Sequence, residues 1–387
     1  MKIAVVGVKQ LPPRQGGIEQ ACAEMYPRMA QQGHDVDLFA RASSTQLKWF
    51  QKSHFQGVKV VSLPSFDKRG IDALTTAAFG ATAASNRYDI VHFHAVGPAL
   101  FSCIPRVVSP DTRIVVTCHG LDWQRAKWGR FARIWLQSGE RMAVRCAHEI
   151  IVVSEALRDY FWQTHRRQTH YIPNAPAAYQ ASAGFDFGKT HGLIPQKYVV
   201  FLGRLVPEKC PDLLIQAFQR LRPQGWKLAL IGGTSDTSGY TQSLKALAAG
   251  DPNIVLTGQL HGTQLAEIMR GAGLFVLPSY LEGMPLAMLE AMIEGIPVLA
   301  SDIDPHQQLL DHHRGLLFET GSIDDCVRQM DWAIHHPAAL KDMANRAQKH
   351  AQLHHSWDHI TTETLKIYSR PISVPNVVTS PEQVVQP

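Results

Sequence analysis

Short runs of apolar and β-branched residues alternate with longer stretches of helical periodicity, and this alternation constrains the fold more than any other feature. In the first half the apolar runs lie at 2–8, 35–41, 58–63, 89–94, 113–118 and 149–154. Helical patterns separate them, for example at 18–32, 71–85 and 129–147. Strands that are apolar throughout and alternate with helices predict a parallel sheet covered on both faces.

The same alternation repeats in the second half of the chain. Its apolar runs lie at 198–204, 227–232, 253–258, 274–279, 297–301 and 315–318. A chain of 387 residues is longer than one hydrophobic core usually organises. We therefore predict an α/β protein with two doubly wound, Rossmann-like domains that face a central cleft.

The domain limits follow from composition and periodicity. Residues 176–196 are rich in Ala, Gly and Pro and lack periodicity, which is typical of a linker. We place the domains at 1–178 and 179–355, a last helix at 356–370, and a disordered tail at 371–387.

The sequence has neither the pattern of a targeting signal nor the cysteine spacing of a disulfide framework or a metal site. The opening apolar run is too short for a signal peptide, and no stretch is long enough to span a membrane. A cytoplasmic protein is expected. The six cysteines are scattered without ligand spacing, which favours free thiols over disulfides or a zinc site.

Charge is distributed unevenly along the chain. Residues 1–185 hold 22 Lys and Arg against 13 Asp and Glu, whereas residues 186–387 hold 16 against 20. A basic half suits a phosphorylated substrate, an anionic membrane or nucleic acid, although a basic soluble surface explains it equally well. The segment 125–145 interleaves basic and aromatic or apolar residues: Arg125, Lys127, Arg130, Arg133, Arg141 and Arg145 with Trp128, Phe131, Ile134 and Trp135. This pattern suits peripheral binding to an anionic membrane, or a helix whose aromatic side chains face the core.

Ligands of open parallel sheets bind at the carboxyl ends of the strands, so the loops there are the candidate sites. Gly16 and Gly17 follow the first strand and precede a helix, an arrangement that suits phosphate binding or a plain turn. Arg204 and Lys209 flank the loop after the first strand of the second domain. Two cations there suit a diphosphate and could replace a metal ion.

The segment 278–301 is the most informative loop and helix. Glu282, Gly283 and Met284 are expected to form a turn, with Pro285 in the first helical position. Glu290 lies in an otherwise apolar helix, so its carboxylate needs a hydrogen-bonding partner, for which ribose hydroxyls would serve. Alternatively, Glu290 and Glu294 form one solvated stripe.

Histidines and aspartates in other loops could suggest a metal ion. His119 follows a buried strand, and His92 and His94 end the strand before it. No carboxylate spacing supports a metal ligand set, so packing or sugar contact is favoured. Asp302 and Asp304 resemble a metal-binding D-x-D motif but are interpreted as turn residues.

These motifs, in this order, resemble glycosyltransferase family 4, which comprises retaining enzymes of the GT-B fold. The resemblance runs from Met1 to about Tyr368 and rests on QGGIE (15–19), His119 to Asp122, GRLVPEK (203–209) and the E-G-M-P segment that begins at Glu282. The segment 120–143 is further similar to the subgroup that builds bacterial envelope polysaccharides. Departures from the family pattern are Ala175 after Asn174, and Gln307 and Gln308 where many members have Glu.

The resemblance implies a role for each motif. The first domain would bind the acceptor and the second the nucleotide diphosphate-sugar donor. Gly16 and Gly17 would contact the donor phosphate, and Arg204 and Lys209 would hold the diphosphate. Glu282 would face the donor sugar together with the donor-binding segment Gly283, Met284, Pro285 and Leu286, in which every residue except Pro285 has a backbone N–H group to offer. Glu290 would bind the ribose, His119 would contact the sugar near the reacting carbon, and the last helix would return to the first domain.

The resemblance also implies partners and cofactors. A hexose would pass from the donor to a saccharide or lipid-linked acceptor without a metal ion. A lipid-linked acceptor would place the reaction on the inner face of the cell membrane. Nucleic acid is not an expected partner. The alternatives are a related nucleotide-sugar epimerase, and a non-enzymatic basic protein that binds membrane or nucleic acid.

Overall fold

The structure is a computed structural model that describes residues 1–13, 16–45, 47–66, 71–124, 129–176, 179–181, 184–233 and 238–372. The chain divides into two compact units. The first unit comprises Met1–Asn174 and Trp357–Pro387, and the second comprises Ala175–Ser356. Most of the tail predicted to be disordered, from residue 373 on, lies outside the described residues.

The first unit begins as an alternation of strands and helices. Its strands are β1 (Lys2–Val6), β2 (Asp35–Arg41), β3 (Lys52–Phe55), β4 (Val58–Leu63), β5 (Ile90–His94), β6 (Arg113–Cys118), β7 (Glu149–Val152) and β8 (His170–Tyr171). Its helices here are α1 (Gly17–Gln31), α2 (Ile71–Ala84), α3 (Cys103–Val108), α4 (Arg130–Cys146) and α5 (Glu155–His165). The side chain of Ser154 caps α5 by accepting a hydrogen bond from the Leu157 amide.

The sheet of the first unit has the order β3-β4-β2-β1-β5-β6-β7-β8 over the described residues. Its pairs are parallel except β3 with β4, which is antiparallel. Residues 3–6 of β1 are fully buried because helices cover both faces of the sheet. The strand order reverses between β1 and β5, so the loops after these strands flank the crevice where such sheets bind ligands.

The second unit repeats this architecture. Its strands are β9 (Tyr198–Leu202), β10 (Lys227–Ile231), β11 (Ile254–Gly258), β12 (Leu274–Leu277), β13 (Val298–Ser301) and β14 (Leu316–Phe318). Its helices are α6 (Asp186–Thr190), α7 (Pro211–Leu221), α8 (Ser238–Ala248), α9 (Gly262–Gly271), α10 (Leu286–Ile293), α11 (Asp304–Leu310), α12 (Ile323–His335) and α13 (Pro337–His354). The last helix, α14 (Trp357–Tyr368), belongs to the first unit and packs on α1.

The sheet of the second unit is parallel, with the order β11-β10-β9-β12-β13-β14 among the described strands. Counted within the unit this is the order 3-2-1-4-5-6 of a dinucleotide-binding sheet. The order reverses between β9 and β12. The loops that follow these two strands contain Lys209 and Glu282, two of the residues singled out from the sequence.

Candidate functional site

The loop after β9 positions two cations of the second unit. Arg204 is half-buried, and its carbonyl accepts a hydrogen bond from the Val206 amide at 3.0 Å. Lys209 ends a short turn before α7, and its side chain is 15% exposed. A Cβ atom at Gly203 would lie 2.9 Å from Cδ of Lys209, so glycine there leaves room for the lysine side chain.

The loop after β12 brings a carboxylate to Lys209. Nζ of Lys209 lies 2.5 Å from Oε1 of Glu282, whose side chain is 11% exposed. The Ser279 hydroxyl donates to the same oxygen at 2.9 Å. The hydroxyl of Ser301, at the end of β13, donates in turn to the carbonyl of Ser279. The structure thus joins two residues that are 73 positions apart in the sequence into one buried ion pair.

Opposing effects set the charge of Glu282. Burial acts to raise the pKa of its carboxyl group, but the charge and hydrogen bond of Lys209 outweigh burial. The nearby His306 ring and Ser279 add smaller effects in the same direction as Lys209, and the pKa lies below its ordinary value. Glu282 is therefore an anion at neutral pH, able to accept hydrogen bonds from sugar hydroxyls.

Helix α10 carries the second carboxylate, Glu290. The Tyr179 hydroxyl donates to Oε2 of Glu290 at 2.7 Å. Burial raises the pKa of Glu290 to about 7, against the effect of the Tyr179 hydrogen bond, and Glu294 adds to the rise. The carboxylate thus has a partner, as its apolar helix requires, and the partner comes from the segment predicted to be a linker.

Two expectations for this segment are wrong. Pro285 precedes the first residue of α10 instead of occupying the first helical position, with φ of −80° and ψ of 85°. Glu290 and Glu294 do not form a solvated stripe, because Glu290 binds Tyr179 and Glu294 forms an ion pair with Arg270 at 2.8 Å. The side chain of Glu294 is only 16% exposed.

The Asp302 carboxylate has a structural partner. It accepts hydrogen bonds from the amide of Thr320 at 2.9 Å and from its hydroxyl at 2.6 Å. These bonds connect the ends of β13 and β14, which agrees with the interpretation of Asp302 as a loop residue. Within the described residues, no group of three His, Cys, Asp or Glu side chains is placed to hold a metal ion.

In the first unit, Gly16 and Gly17 lie at the start of α1. Gly16 has φ of 114°, and a Cβ atom there would lie 2.2 Å from the Glu19 carboxylate. The same carboxylate accepts a hydrogen bond from the Lys9 amide at 3.3 Å. A negative side chain therefore shares this helix N-terminus and weakens its attraction for an anion. Phosphate binding by Gly16 and Gly17 stays a prediction.

His119 follows β6 and contacts a buried histidine. Its Nε2 lies 3.0 Å from Nδ1 of His94, and the two rings stack with centroids 5.3 Å apart. His94 and its neighbour His92 are 1% and 0% exposed. Burial lowers the pKa of both rings, that of His92 to about 3. Both are therefore neutral and packed in the interior, which is one of the two roles, packing or sugar contact, favoured for them from the sequence.

Helix α4 exposes aromatic and apolar side chains of the segment that was predicted either to bind a membrane or to face the core. Phe131 is 83% exposed, Ile134 58% and Trp135 51%, so the alternative in which they face the core is wrong. Arg130 and Arg133 are exposed beside them. Residues 125–128 of the predicted surface lie outside the described residues. Among the helices that the structure describes, none is both long and apolar enough to cross a membrane.

Cavities elsewhere in the described residues do not contain the predicted site residues. A polar cavity of about 450 Å³ lies along α1 and is lined by Glu24, Arg28 and Asp358. Another, of about 700 Å³, lies at the amino ends of β10 and β11 beside Pro223 and Asp251. The first is lined mainly by α1, and the second lies at the opposite edge of the sheet from Glu282; neither lining contains a residue of the predicted site.

Family models match both halves of the chain. The model described as Glycosyltransferase Family 4 matches residues 15–175, and the model described as Glycosyl transferases group 1 matches residues 189–350. The chain belongs to glycosyltransferase family 4. The predicted membership is confirmed, and the protein is a glycosyltransferase by family.

Named relatives of this family 4 chain extend over most of its length. It is 24% identical to an uncharacterised glycosyltransferase of Methanocaldococcus jannaschii, over 95% of this chain and 98% of the relative. It is 25% identical to a D-inositol 3-phosphate glycosyltransferase of Gordonia bronchialis, over 95% and 88%. A putative teichuronic acid biosynthesis glycosyltransferase of Bacillus subtilis is 27% identical over 70% of this chain and 71% of its own.

Solved structures share the fold. Anabaena HepE, crystallised in complex with UDP-glucose, has a TM-score of 0.78 at 20% identity, covering 95% of this family 4 chain and 99% of HepE. Sucrose-phosphate synthase from Thermosynechococcus elongatus has a TM-score of 0.77 at 21% identity, covering 95% and 98%. The predicted α/β architecture of the GT-B type, with two Rossmann-like domains, is confirmed.

The motifs led to Lys209, Glu282 and Glu290 but missed the residues that contact them. Tyr179 lies in an Ala- and Gly-rich segment that also contains Phe185 and Phe187, so its side chain had no distinguishing signal in the sequence. Ser279, which donates to Glu282, lies three residues before it and was treated only as the end of a strand. The tyrosine partners of His92 and His94, Tyr26 and Tyr368, come from distant helices and had no local signal.

Proposed function

We propose that the protein transfers a hexose from a nucleotide diphosphate-sugar to a saccharide or lipid-linked acceptor, with retention of the anomeric configuration, in the synthesis of cell-envelope polysaccharide. The contact between Lys209 and Glu282 at the switch point between β9 and β12 carries the proposal. A cation and an anion held there can bind two parts of one donor: the cation binds the diphosphate and the anion binds the sugar.

Lys209 can serve the diphosphate while it stays paired. An ammonium group has three N–H donors, and Glu282 uses one of them. Its other two N–H groups can donate to phosphate oxygens. Arg204 in the same loop adds a second cation. Charge developing on the departing diphosphate is then stabilised by fixed side chains, so no metal ion is needed.

Glu282 and Glu290 bind the other two parts of the donor, which are the sugar and the ribose. Glu282, kept ionised by Lys209, faces the sugar hydroxyls, and the backbone N–H groups of Gly283, Met284 and Leu286 lie at the start of α10. Glu290 binds the ribose hydroxyls, with the Tyr179 hydroxyl as its partner in the ligand-free protein. His119 of the first unit contacts the sugar near the reacting carbon.

The names and ligands of similar proteins support the donor class and the pathway. HepE was crystallised with UDP-glucose, and the Bacillus subtilis relative is named for teichuronic acid biosynthesis. A lipid-linked acceptor would explain the exposed stripe of Phe131, Ile134 and Trp135, since arginines beside it can bind an anionic inner membrane face. The protein would then be cytoplasmic and bound peripherally to that membrane.

The test begins with a thermal-shift screen of nucleotide diphosphate-sugars, because a ligand that binds only the folded protein raises its melting temperature. Product formed from the best donor is then examined by NMR, and the same anomer as in the donor is expected. Arg204→Ala should keep its fold and turn over about a hundredfold more slowly. An inverted anomer, or an epimerised nucleotide sugar formed without acceptor, would overturn the proposal.

A further inference from the structure

His94 connects His119 to the interior of the first unit through both of its ring nitrogens. Its Nδ1 lies 3.0 Å from Nε2 of His119. Its Nε2 lies 2.6 Å from the hydroxyl of Tyr26, which comes from α1 and is fully buried. A continuous hydrogen-bonded path therefore runs from Tyr26 through His94 to His119.

His92 extends this network to the last helix. Its Nδ1 lies 2.6 Å from the hydroxyl of Tyr368 on α14 and 2.9 Å from that of Tyr26. Its Nε2 lies 2.7 Å from the hydroxyl of Thr117 on β6. Tyr368 is 3% exposed and Thr117 5%, so the network lies in the protein interior. Each ring nitrogen of both histidines has a polar partner.

Burial keeps these two rings neutral. It lowers the pKa of His92 to about 3 and that of His94 well below its ordinary value, and the neighbouring histidines add to both shifts. A neutral imidazole has one N–H donor and one acceptor nitrogen, and its partners decide which nitrogen carries the proton.

A phenol hydroxyl has one proton to donate, and a neutral imidazole accepts at one ring nitrogen. We assign the phenol protons to the two contacts of 2.6 Å, so that Tyr26 donates to Nε2 of His94 and Tyr368 donates to Nδ1 of His92. Nδ1 of His92 then has no further lone pair for the Tyr26 hydroxyl, which lies 2.9 Å away.

One arrangement of protons follows for His94 and His119. With its Nε2 accepting from Tyr26, His94 carries its proton on Nδ1. It donates this proton toward Nε2 of His119. Nε2 of His119 is then an acceptor, and a neutral His119 ring has its own proton on Nδ1.

We propose that Tyr26 and His94 are positioning residues that hold the His119 ring in one orientation and in the tautomer with the proton on Nδ1. Their effect on turnover rests on the proposed function, in which His119 contacts the donor sugar. Tyr26 acts on His119 through His94. In this tautomer Nδ1, and not Nε2, carries the proton of His119.

The experiment uses the full-length protein, labelled with ¹⁵N and free of ligand, in long-range ¹H–¹⁵N NMR of its histidine rings. The His119 signals are assigned by their loss in His119→Ala. In the wild-type protein we expect Nε2 of His119 to be unprotonated and Nδ1 protonated. Tyr26→Phe removes the donor that holds the proton of His94 on Nδ1, so the preference for one tautomer should weaken and the His119 signals should shift toward a mixture of both forms.

Tyr368→Phe is the matched control, since it removes a second phenol hydroxyl from the same network. His92 can respond by turning its proton to Nδ1, toward the Tyr26 oxygen, and by accepting from Thr117. The bond from Tyr26 to His94 is kept, so the His119 pattern should not change. Thermal unfolding of both variants checks that each is folded.

Turnover gives the second readout. Tyr26→Phe should lower kcat about tenfold with a donor KM within about twofold of wild type, since partners of a functional imidazole commonly matter by 10- to 100-fold. His94→Asn places an amide nitrogen where Nδ1 lies and should retain most of the kcat that His94→Ala loses.

A protonated Nε2 on His119 in the wild-type protein would overturn the proposal. So would a Tyr26→Phe variant whose His119 signals and kcat equal those of wild type. Failure of the proposed function looks different: no nucleotide sugar would bind or turn over in the wild-type protein. The tautomer is measured without ligand and is decided independently of that result.

Discussion

Two glutamates on one loop and helix have opposite electrostatic surroundings. Glu282 is buried against Lys209, which keeps it ionised, whereas burial of Glu290 raises its pKa to about 7 with only a tyrosine hydroxyl as partner. One is a fixed anion and the other changes charge near neutral pH. The two side chains are therefore expected to respond differently when each is replaced by its neutral amide.

Substitution of these glutamates should separate turnover from donor affinity. Contacts of Glu282 tighten as positive charge grows on the anomeric carbon, so Glu282→Gln should lose most of kcat, on the order of a hundredfold, and still bind free nucleotide diphosphate. A ribose contact is unchanged in the transition state, so Glu290→Gln should raise KM and weaken nucleotide binding. Steady-state kinetics and calorimetry measure both effects. The reverse pattern of affinities would show that the donor is placed wrongly along α10.

Glu290 should also make stability depend on pH. Its pKa is about 7 in the folded protein against an ordinary value of 4.5, so between these values the folded state binds the proton more tightly than the unfolded state. Stability from this group is therefore complete below pH 4.5 and is lost as the pH rises through 7. Denaturant unfolding of Glu290→Gln should lack this loss, with a gain over wild type of about 3 kcal/mol at pH 8, because the pKa of Glu290 rises from 4.5 to about 7 on folding. Equal differences at pH 5 and pH 8 would contradict the assignment.

Helix α4 is divided into two parts along its length. Gly139, Glu140 and Ala143 in its second half are buried, whereas Phe131 and Trp135 in its first half are exposed. The buried carboxylate of Glu140 accepts hydrogen bonds from Trp123, Tyr160 and His165, at 2.6–2.8 Å. The helix is thus anchored at one end and presents apolar side chains at the other.

The exposed end of α4 should bind an anionic lipid surface. We expect sedimentation with liposomes that contain anionic lipid, weakened by salt, and none with neutral liposomes, because the arginines supply part of the attraction. The double variant Phe131→Ser/Trp135→Ser should lose most of this binding. Leu353→Ser is the control, since Leu353 is 78% exposed but lies on α13 of the second unit. Equal binding by both variants would exclude α4 as the contact.

Hydrophobic periodicity predicted the helices and strands whose apolar residues face a core. It did not predict elements that are set by strand pairing or by local backbone geometry. Strand β3 is short, polar and at the sheet edge, and β8 has two residues, so neither has an apolar run. Helix α6 lies in a segment whose Gly and Ala content predicted a linker. The loops with Lys209 and Glu282 were found because ligand chemistry clusters at strand ends. Their ion pair, and the contact of His92 with Tyr368, join distant positions that a local pattern does not connect.

At the scale of the molecule, the half of the sequence that holds Lys209 and Glu282 is the more acidic one. Residues 186–387 hold 16 basic and 20 acidic residues, against 22 and 13 in residues 1–185. The net negative charge of this half therefore does not attract an anionic diphosphate. In the proposed reaction its binding would depend on the few cations in the loop after β9.

Because these cations replace a metal ion in the proposed reaction, chelation should have little effect. Activity in EDTA is expected to stay within about twofold of the untreated enzyme, since fixed donors need no added ion to stabilise the leaving group. Asp302→Asn and Asp304→Asn, which alter the D-x-D sequence, should also remain active. Loss of activity in EDTA, restored by magnesium or manganese, would contradict this prediction.

The first unit is built from two separate stretches of chain, and this has a consequence for its biosynthesis. A ribosome releases residues 1–174 first, yet Tyr368, which packs against His92, emerges only after the whole second unit. Domains usually complete in the order of their synthesis. Here the second unit can complete its folding before the first. Until α14 is synthesised, His92 of the first unit lacks its contact with Tyr368. A nascent chain stopped before α14 would carry a finished second unit and an unfinished first one.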